Sequence, residues 1–172
     1  DILGNDRLML HTPRSTLIPF DRDDAPLFHA INTDPFVRKY LWDDEVISLR
    51  KAEEMIETNH RNFREQGFGL WKIVHPVYHE VVGYTGLWPF YEAPQPQLVY
   101  AITEAFSGQG LALECASRVK AYAFQELNFP YLIAAMDKQH VASRVVARRL
   151  GMQLAEVREE NGKPTCFFRV NR

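Results

Sequence analysis

Two glycines one residue apart, in Phe106-Ser-Gly-Gln-Gly-Leu-Ala-Leu-Glu114, close a strand-like run from Gln97 to Ala105 and open an amphipathic helical run, Leu111 to Leu127. The first turn of a helix exposes backbone N–H groups that the helix cannot satisfy itself. Together with the positive end of the helix dipole, those donors suit a phosphate-bearing ligand. Glycine permits the approach, because a Cβ would hold the ligand off the backbone or forbid a positive φ. The donors fall on Ser107, Gly108, Gln109, Gly110, Leu111 and Ala112. A turn that merely starts a helix uses the same residue types, so the surrounding chain has to decide.

Other reactive side chains are sparse. Cys115 and Cys166 are the only cysteines, each in an apolar context and too far apart in sequence for a close-spaced redox pair. They read as small core residues, and a nucleophilic cysteine is not expected. No metal is expected either. At 172 residues, with 46% hydrophobic and 24% charged content, the chain suits one soluble domain spanning residues 1–172. A net charge of −2 with mixed signs gives no basis for a nucleic-acid partner or an anionic membrane surface. No apolar run approaches the roughly 20 residues that span a bilayer. The start, Asp1 to Asp6, lacks the basic-then-apolar pattern of a secretory leader, so the expectation is a cytoplasmic protein.

The elements that must position the glycine turn follow from periodicity. Arg7 to His11 reads as a first strand, and Asp21 to Ile31 as a helix with Asp23, Asp24 and Pro26 in its first turn. Asp34-Pro35 restarts a short helix through Val37 and Tyr40. Ser48 caps a longer one whose stripe is Leu49, Ala52, Met55, Ile56 and Phe63, ended by Gly67. Strands follow at Phe68 to Val74, Glu80 to Trp88 and Leu98 to Thr103; the last alternates Leu98, Tyr100 and Ile102 against Val99, Ala101 and Thr103. The tract Glu92 to Gln97, with Pro94 and Pro96, is a loop. Beyond the glycine turn come a helix, a buried strand at Tyr131 to Met136, and a helix from Val141 to Leu150 stopped by Gly151. A terminal hairpin pairs Met152–Val157 with Thr165–Val170 around Glu159 to Gly162. The order predicts one α+β domain with a mixed, mostly antiparallel central sheet flanked by helices.

These segments resemble the GNAT superfamily of acetyl-coenzyme A-dependent N-acetyltransferases, most closely its ribosomal-protein-alanine-acetyltransferase-like (RimJ/RimL-type) branch, over nearly the whole chain. Arg7-Leu-Met-Leu10 resembles the branch's opening "E-R-L-x-L-R", and Asp34-Pro-Phe-Val-Arg-Lys-Tyr-Leu41 its "D-P-E-V-x-R-Y-L". Val82-Gly-Tyr-Thr-Gly86 resembles "I-G-x-x-G". Ser107-Gly-Gln-Gly-Leu-Ala-Leu-Glu-Cys115 resembles "W-G-K-G-Y-A-T-E-A", without the leading residue of the superfamily's R/Q-x-x-G-x-G/A motif. His140-Val-Ala-Ser-Arg-Val-Val-Ala-Arg-Arg-Leu-Gly-Met152 resembles "N-x-A-S-x-R-V-x-E-K-L-G-F".

The resemblance implies acetyl-CoA as cosubstrate, an amine acceptor, and direct transfer without a covalent enzyme intermediate. It implies splayed middle strands, with pantetheine amides bonding the backbone of Ile102 and Thr103 as an added strand would. Ser107 to Ala112 would hold the pyrophosphate, and among Lys138, Arg144, Arg148 and Arg149 one or two could reach the 3′-phosphate. Ser143 is the catalytic candidate, as hydrogen-bond donor to the departing thiolate. His140 stands where the branch has asparagine; it can hold pantetheine as the amide does, or act as a base, and the holding role is expected. Gln97 stands where the branch often has glutamate, so the role of base is vacant or falls elsewhere, with Glu92 and Glu104 the nearest carboxylates. Tyr100 is read as a core residue, and Trp88, Phe90 and Tyr91 suit a partly apolar acceptor pocket.

Two alternatives share some of these features. A nucleotide-binding α/β module would use the strand, Gly108-x-Gly110, the helix and Asp137, but its third glycine position holds Leu113. A non-catalytic acyl-CoA-binding sensor would account for the missing base. The acceptor is open between a protein N-terminus and a small-molecule amine, and the assembly between monomer and homodimer.

Overall fold

The computed structural model describes residues 8–91 and 94–172. Arg7, where the expected first strand begins, and Glu92, one of the expected carboxylates, lie outside the described residues. Within them β1 is Leu10–His11, paired antiparallel with β2, Thr16–Pro19, a strand too short for its alternation to show in sequence.

The expected helix from Asp21 is split by its own cap. The Asp21 carboxylate accepts from the Arg22 N–H at 2.7 Å, and the Asp24 carboxylate accepts from the Asp21 N–H at 2.8 Å. This closes one 3-10 turn, Arg22–Asp24, ahead of α1, Ala25–Thr33. Asp34 then caps α2, Pro35–Leu41, by accepting from the Phe36 N–H at 2.9 Å. Buried Asn32 ties this layer to the sheet, because its Oδ1 accepts from Tyr84 Oη at 2.7 Å and from Trp42 Nε1 at 2.8 Å. Trp42 ends α2, so the bond also fixes where Tyr40 stands.

Ser48 caps α3, Leu49–Gln66, through the Lys51 N–H at 3.0 Å, and Gly67 ends it at φ 77°. Asn59 of α3 accepts from the Leu70 N–H at 2.7 Å, anchoring the start of β3, Leu70–Val74. Next come β4, Val81–Trp88, and β5, Gln97–Ile102. Gly83 of β4 has no room for a side chain, since a Cβ there would run into the Ala101 carbonyl of β5. As expected, β5 sends Leu98, Tyr100 and Ile102 to one core and Val99 and Ala101 to the other. The first core holds α4, Leu111–Gln125, against Trp71 and Ile73; the second holds α1 and α3 around Phe20, Phe28 and Tyr84.

After α4 come β6, Tyr131–Asp137, α5, Val141–Arg149, β7, Gln153–Glu160, and β8, Lys163–Asn171. The terminal hairpin is longer than expected. Asn161 and Gly162, both at positive φ, suffice as its two-residue turn.

The strands form a five-stranded sheet, β1-β2-β3-β4-β5, and a three-stranded one, β6-β8-β7, with every ladder antiparallel. The mixed sheet thus resolves into two antiparallel sheets meeting at β5 and β6, which no ladder joins among the described residues. A doubly wound parallel sheet, and with it the nucleotide-binding alternative, is excluded.

Candidate active site

The open seam between β5 and β6 widens into a cavity of about 300 Å³. The glycine turn forms one end, Leu98 to Ile102 and Ala135 to Asp137 the walls, and Tyr40, His140 and Ser143 the cover. A smaller cavity of about 110 Å³ adjoins it, sharing Tyr40, Leu98, Met136 and Asp137 and adding Phe90, Tyr91, Gln97 and Glu160.

At the turn, Glu104–Phe106 makes a 3-10 turn and Gly108 and Gly110 take φ of 76° and 78°. The first backbone bond into α4 runs from the Glu114 N–H to the Gly110 carbonyl at 3.1 Å, so the N–H groups of Leu111, Ala112 and Leu113 lie ahead of it. Ser107 differs from expectation: its N–H donates to the Glu104 carbonyl at 3.1 Å and is used within the turn. Gln109 does not line the cavity.

Thr103 also departs from expectation. Its N–H donates to the Val82 carbonyl at 2.9 Å and so is not free for a ligand, and its carbonyl already accepts one bond, from Phe106. Antiparallel pairing alternates, so the backbone groups that face away from β4 are those of Ile102 and Tyr100. The open edge of β5 therefore runs through Ile102 and Tyr100.

Ser143 is buried in the first turn of α5, held by a residue assigned above to the core. Tyr100 lines the cavity, and its Oη donates to the Ser143 carbonyl at 2.9 Å. Ser143 Oγ donates in turn to Tyr100 Oη at a longer 3.4 Å, leaving the serine proton loosely held. Burial pushes the Tyr100 phenol up to about 12, against the opposing hydrogen bond to Ser143, so it stays protonated at any working pH.

His140 precedes α5 without capping it and stacks on Tyr40, ring centroids 4.2 Å apart and planes within 9°. Burial lowers its pKa, Asp137 opposing and Lys39 assisting, so the ring is neutral near pH 7. Of the expected cations only Arg149 lines the cavity. Arg148 lies over the Phe168 ring at 5.5 Å, and Arg144 Nε is buried without a partner among the described residues.

Gln97 braces the loop before β5. Its Oε1 accepts from the Tyr91 N–H at 3.0 Å and its Nε2 donates to the Gln95 carbonyl at 3.0 Å. Glu104 is exposed and does not line either cavity. Among the described residues, the carboxylates facing the smaller cavity are Asp43, Asp137 and Glu160. Lys163 Nζ lies 3.0 Å from Asp43 and 3.9 Å from Asp137, while Arg158 pairs with Glu160 at 2.7 Å. Tyr40 and Tyr100 are the site residues that sequence reasoning missed. The tyrosine of the Asp34-Pro35 segment was available as a signal for the first; nothing local distinguishes the second from a core tyrosine.

Comparison with known proteins agrees with this arrangement. Residues 14–153 match the acetyltransferase (GNAT) domain family. The uncharacterized protein YkkB of Bacillus subtilis is 30% identical over 152 residues, covering 86% of each chain. An FsC-acetyl coenzyme A-N(2)-transacetylase of Aspergillus fumigatus is 27% identical over 86% of this chain and 66% of its own. Among solved structures, an acetyltransferase from Agrobacterium tumefaciens superposes with a TM-score of 0.82 at 24% identity, over 95% of this chain and 94% of that one. RimL, a ribosomal-protein alpha-N-acetyltransferase in complex with coenzyme A, superposes with a TM-score of 0.78 at 16% identity, over 95% of this chain and 97% of its own. On the family match over most of its length, and with a fold that agrees, this chain belongs to the GNAT acetyltransferase family.

Proposed function

We propose that the protein transfers an acetyl group from acetyl-CoA to a primary amine, by direct attack and without an acyl-enzyme. The observation that carries this reading is the cavity at the β5–β6 seam. It has unpaired helix N–H groups at one end, a free strand edge along one wall, and a loosely held serine hydroxyl under its cover. An anionic, amide-bearing, thioester-ended ligand matches those three features in that order.

In this reading the pyrophosphate meets the N–H groups at Gly108, Gly110, Leu111 and Ala112. The pantetheine amides bond the edge at Ile102 and Tyr100, and His140 donates to a pantetheine carbonyl. The amine enters through the smaller cavity. Its nitrogen lone pair attacks the thioester carbon, the carbon–sulfur bond breaks, and Ser143 Oγ–H donates to the departing sulfur. Tyr100 keeps the serine backbone in place while the hydroxyl turns from Tyr100 to sulfur. The proton lost by the amine equals the one gained by the thiol, so none is consumed. Among the described residues, the carboxylates at the smaller cavity, Asp43, Asp137 and Glu160, are each paired with Lys163 or Arg158, and in this reading the amine's proton leaves through water in the open cavity.

The relatives named for acetylation at nitrogen, RimL and the FsC transacetylase, support an amine acceptor. The test is release of free CoA thiol from acetyl-CoA across a panel of peptide N-termini and small-molecule amines. Turnover with any primary amine supports the reading. Tight acetyl-CoA binding with no turnover on the whole panel replaces it with an acyl-CoA sensor, and no binding removes both.

A further inference from the structure

Arg14 stands beside the glycine turn, although 100 residues of sequence separate it from Glu114. It sits in the tight turn between β1 and β2, closed by the Thr12 N–H donating to the Ser15 carbonyl at 3.0 Å. Glu114, in the first turn of α4, fixes it there. One carboxylate oxygen accepts from Thr12 Oγ1 at 2.7 Å and from the Arg14 N–H at 2.9 Å, and the other accepts from Arg14 Nε at 2.9 Å. Burial works to raise the Glu114 pKa, but the bonds from Thr12 and Arg14 outweigh it and hold the carboxylate below its ordinary value.

Only Nε of the guanidinium is used. Nη1 and Nη2 have no acceptor among the described residues, and a Cβ built on Gly110 would sit 3.4 Å from Nη2. Gly110 is the residue whose positive φ turns the chain into α4. Arg14 does not itself line the cavity, but its outer guanidinium nitrogens stand beside Gly110, which does, next to the N–H groups ahead of α4. The side chain is 45% exposed, so a ligand arriving from solvent can reach it.

Resting on the acetyl-CoA reading of the cavity, we propose that Arg14 is a pyrophosphate ligand, donating from its Nη groups to the diphosphate oxygens, with Glu114 and Thr12 as positioning groups. The role is separate from the 3′-phosphate and from the cations of α5. Arg14 and Glu114 are together close to neutral. The gain therefore comes from directed, charge-assisted donors rather than from net attraction, which sets its size at roughly tenfold in affinity, about 1.4 kcal/mol.

The test is calorimetric titration of the protein and its Arg14→Gln variant with CoA and with 3′-dephospho-CoA, beside acetyl transfer from S-acetylpantetheine, which has no diphosphate. The expected result is a loss of roughly tenfold for both nucleotides and an unchanged rate with S-acetylpantetheine. Arg14→Lys, which keeps the charge, is expected to fall between the two and serves if Arg14→Gln fails to fold. Equal affinities in wild type and variant overturn the assignment. A loss for CoA that vanishes with 3′-dephospho-CoA overturns it in favour of the 3′-phosphate, and an equal loss with S-acetylpantetheine overturns it in favour of general damage. Wild-type protein that binds neither nucleotide removes the acetyl-CoA reading itself, and this assignment with it.

Discussion

In the proposed reaction the serine hydroxyl and the histidine ring, three residues apart at the start of α5, would divide the work at the thioester. Ser143→Ala removes a donor that matters mainly once charge builds on sulfur. Its expected effect is a fall of roughly a hundredfold in kcat with acetyl-CoA affinity nearly unchanged. Comparing turnover with equilibrium titration of acetyl-CoA checks it; a parallel loss of affinity would assign the serine to ground-state binding. His140 is neutral near pH 7 and has its face covered by Tyr40. His140→Asn is expected to preserve both rate and affinity and to leave the shape of the pH–rate profile unaltered. Disappearance of an acid limb in that variant would make the ring a base rather than a holder.

At the scale of elements, Gln97 shows why a motif position need not carry the motif's chemistry. Both polar ends of its side chain are bound to the loop leading into β5, and the residue is 2% exposed. Gln97→Ala leaves the Tyr91 N–H and the Gln95 carbonyl without partners and is expected to cost about 1–3 kcal/mol, read as a lower thermal midpoint. Gln97→Glu can still accept from Tyr91, but it turns a second oxygen toward the Gln95 carbonyl. It is therefore expected to lower the midpoint as well, with no gain in acetyl transfer. A faster Gln97→Glu enzyme would show that the missing carboxylate, and not the brace, is what this position lacks.

Across the whole molecule, acid is expected to loosen the fold through two histidines. His60, whose buried Nδ1 has no partner among the described residues, and His140 both sit below the ordinary value of 6.5, with burial the leading cause in each. The unfolded chain takes up protons near that pH which the folded chain refuses, so stability rises with pH there. The contribution is present above pH 6.5 and is lost as pH falls toward and through the lowered folded values. Thermal midpoints taken between about pH 7 and pH 5 should drop, and by less in His140→Asn; an equal drop would clear that residue. The same two scales of information limit what sequence can reveal. The glycine turn, the caps at Asp34 and Ser48 and the β5 alternation are local patterns, and they were legible. The Arg14–Glu114 pair and the Tyr100–Ser143 contact join residues 100 and 43 apart, which no local periodicity encodes. That the Thr103 N–H faces β4 was not legible, because which face of a strand edge is open depends on the register with β4.

Both cysteines are buried, Cys115 inside α4 and Cys166 on β8 opposite Met136, and burial pushes the Cys115 thiol up to about 12. Each turnover of the proposed reaction would release a fresh thiol, but neither cysteine lines either cavity. Thiol–disulfide exchange needs an accessible thiolate, and here neither sulfur is offered to one. RimL was solved with a disulfide between coenzyme A and a cysteine; this chain is expected to form no such adduct. Incubation with CoA disulfide, followed by intact-mass measurement, should show no added coenzyme on the native protein and labelling of both sulfurs only after denaturation. The protein's own sulfurs would then stay reduced as its surroundings turn oxidising, and the thiol exposed to oxidation would be that of the released coenzyme A.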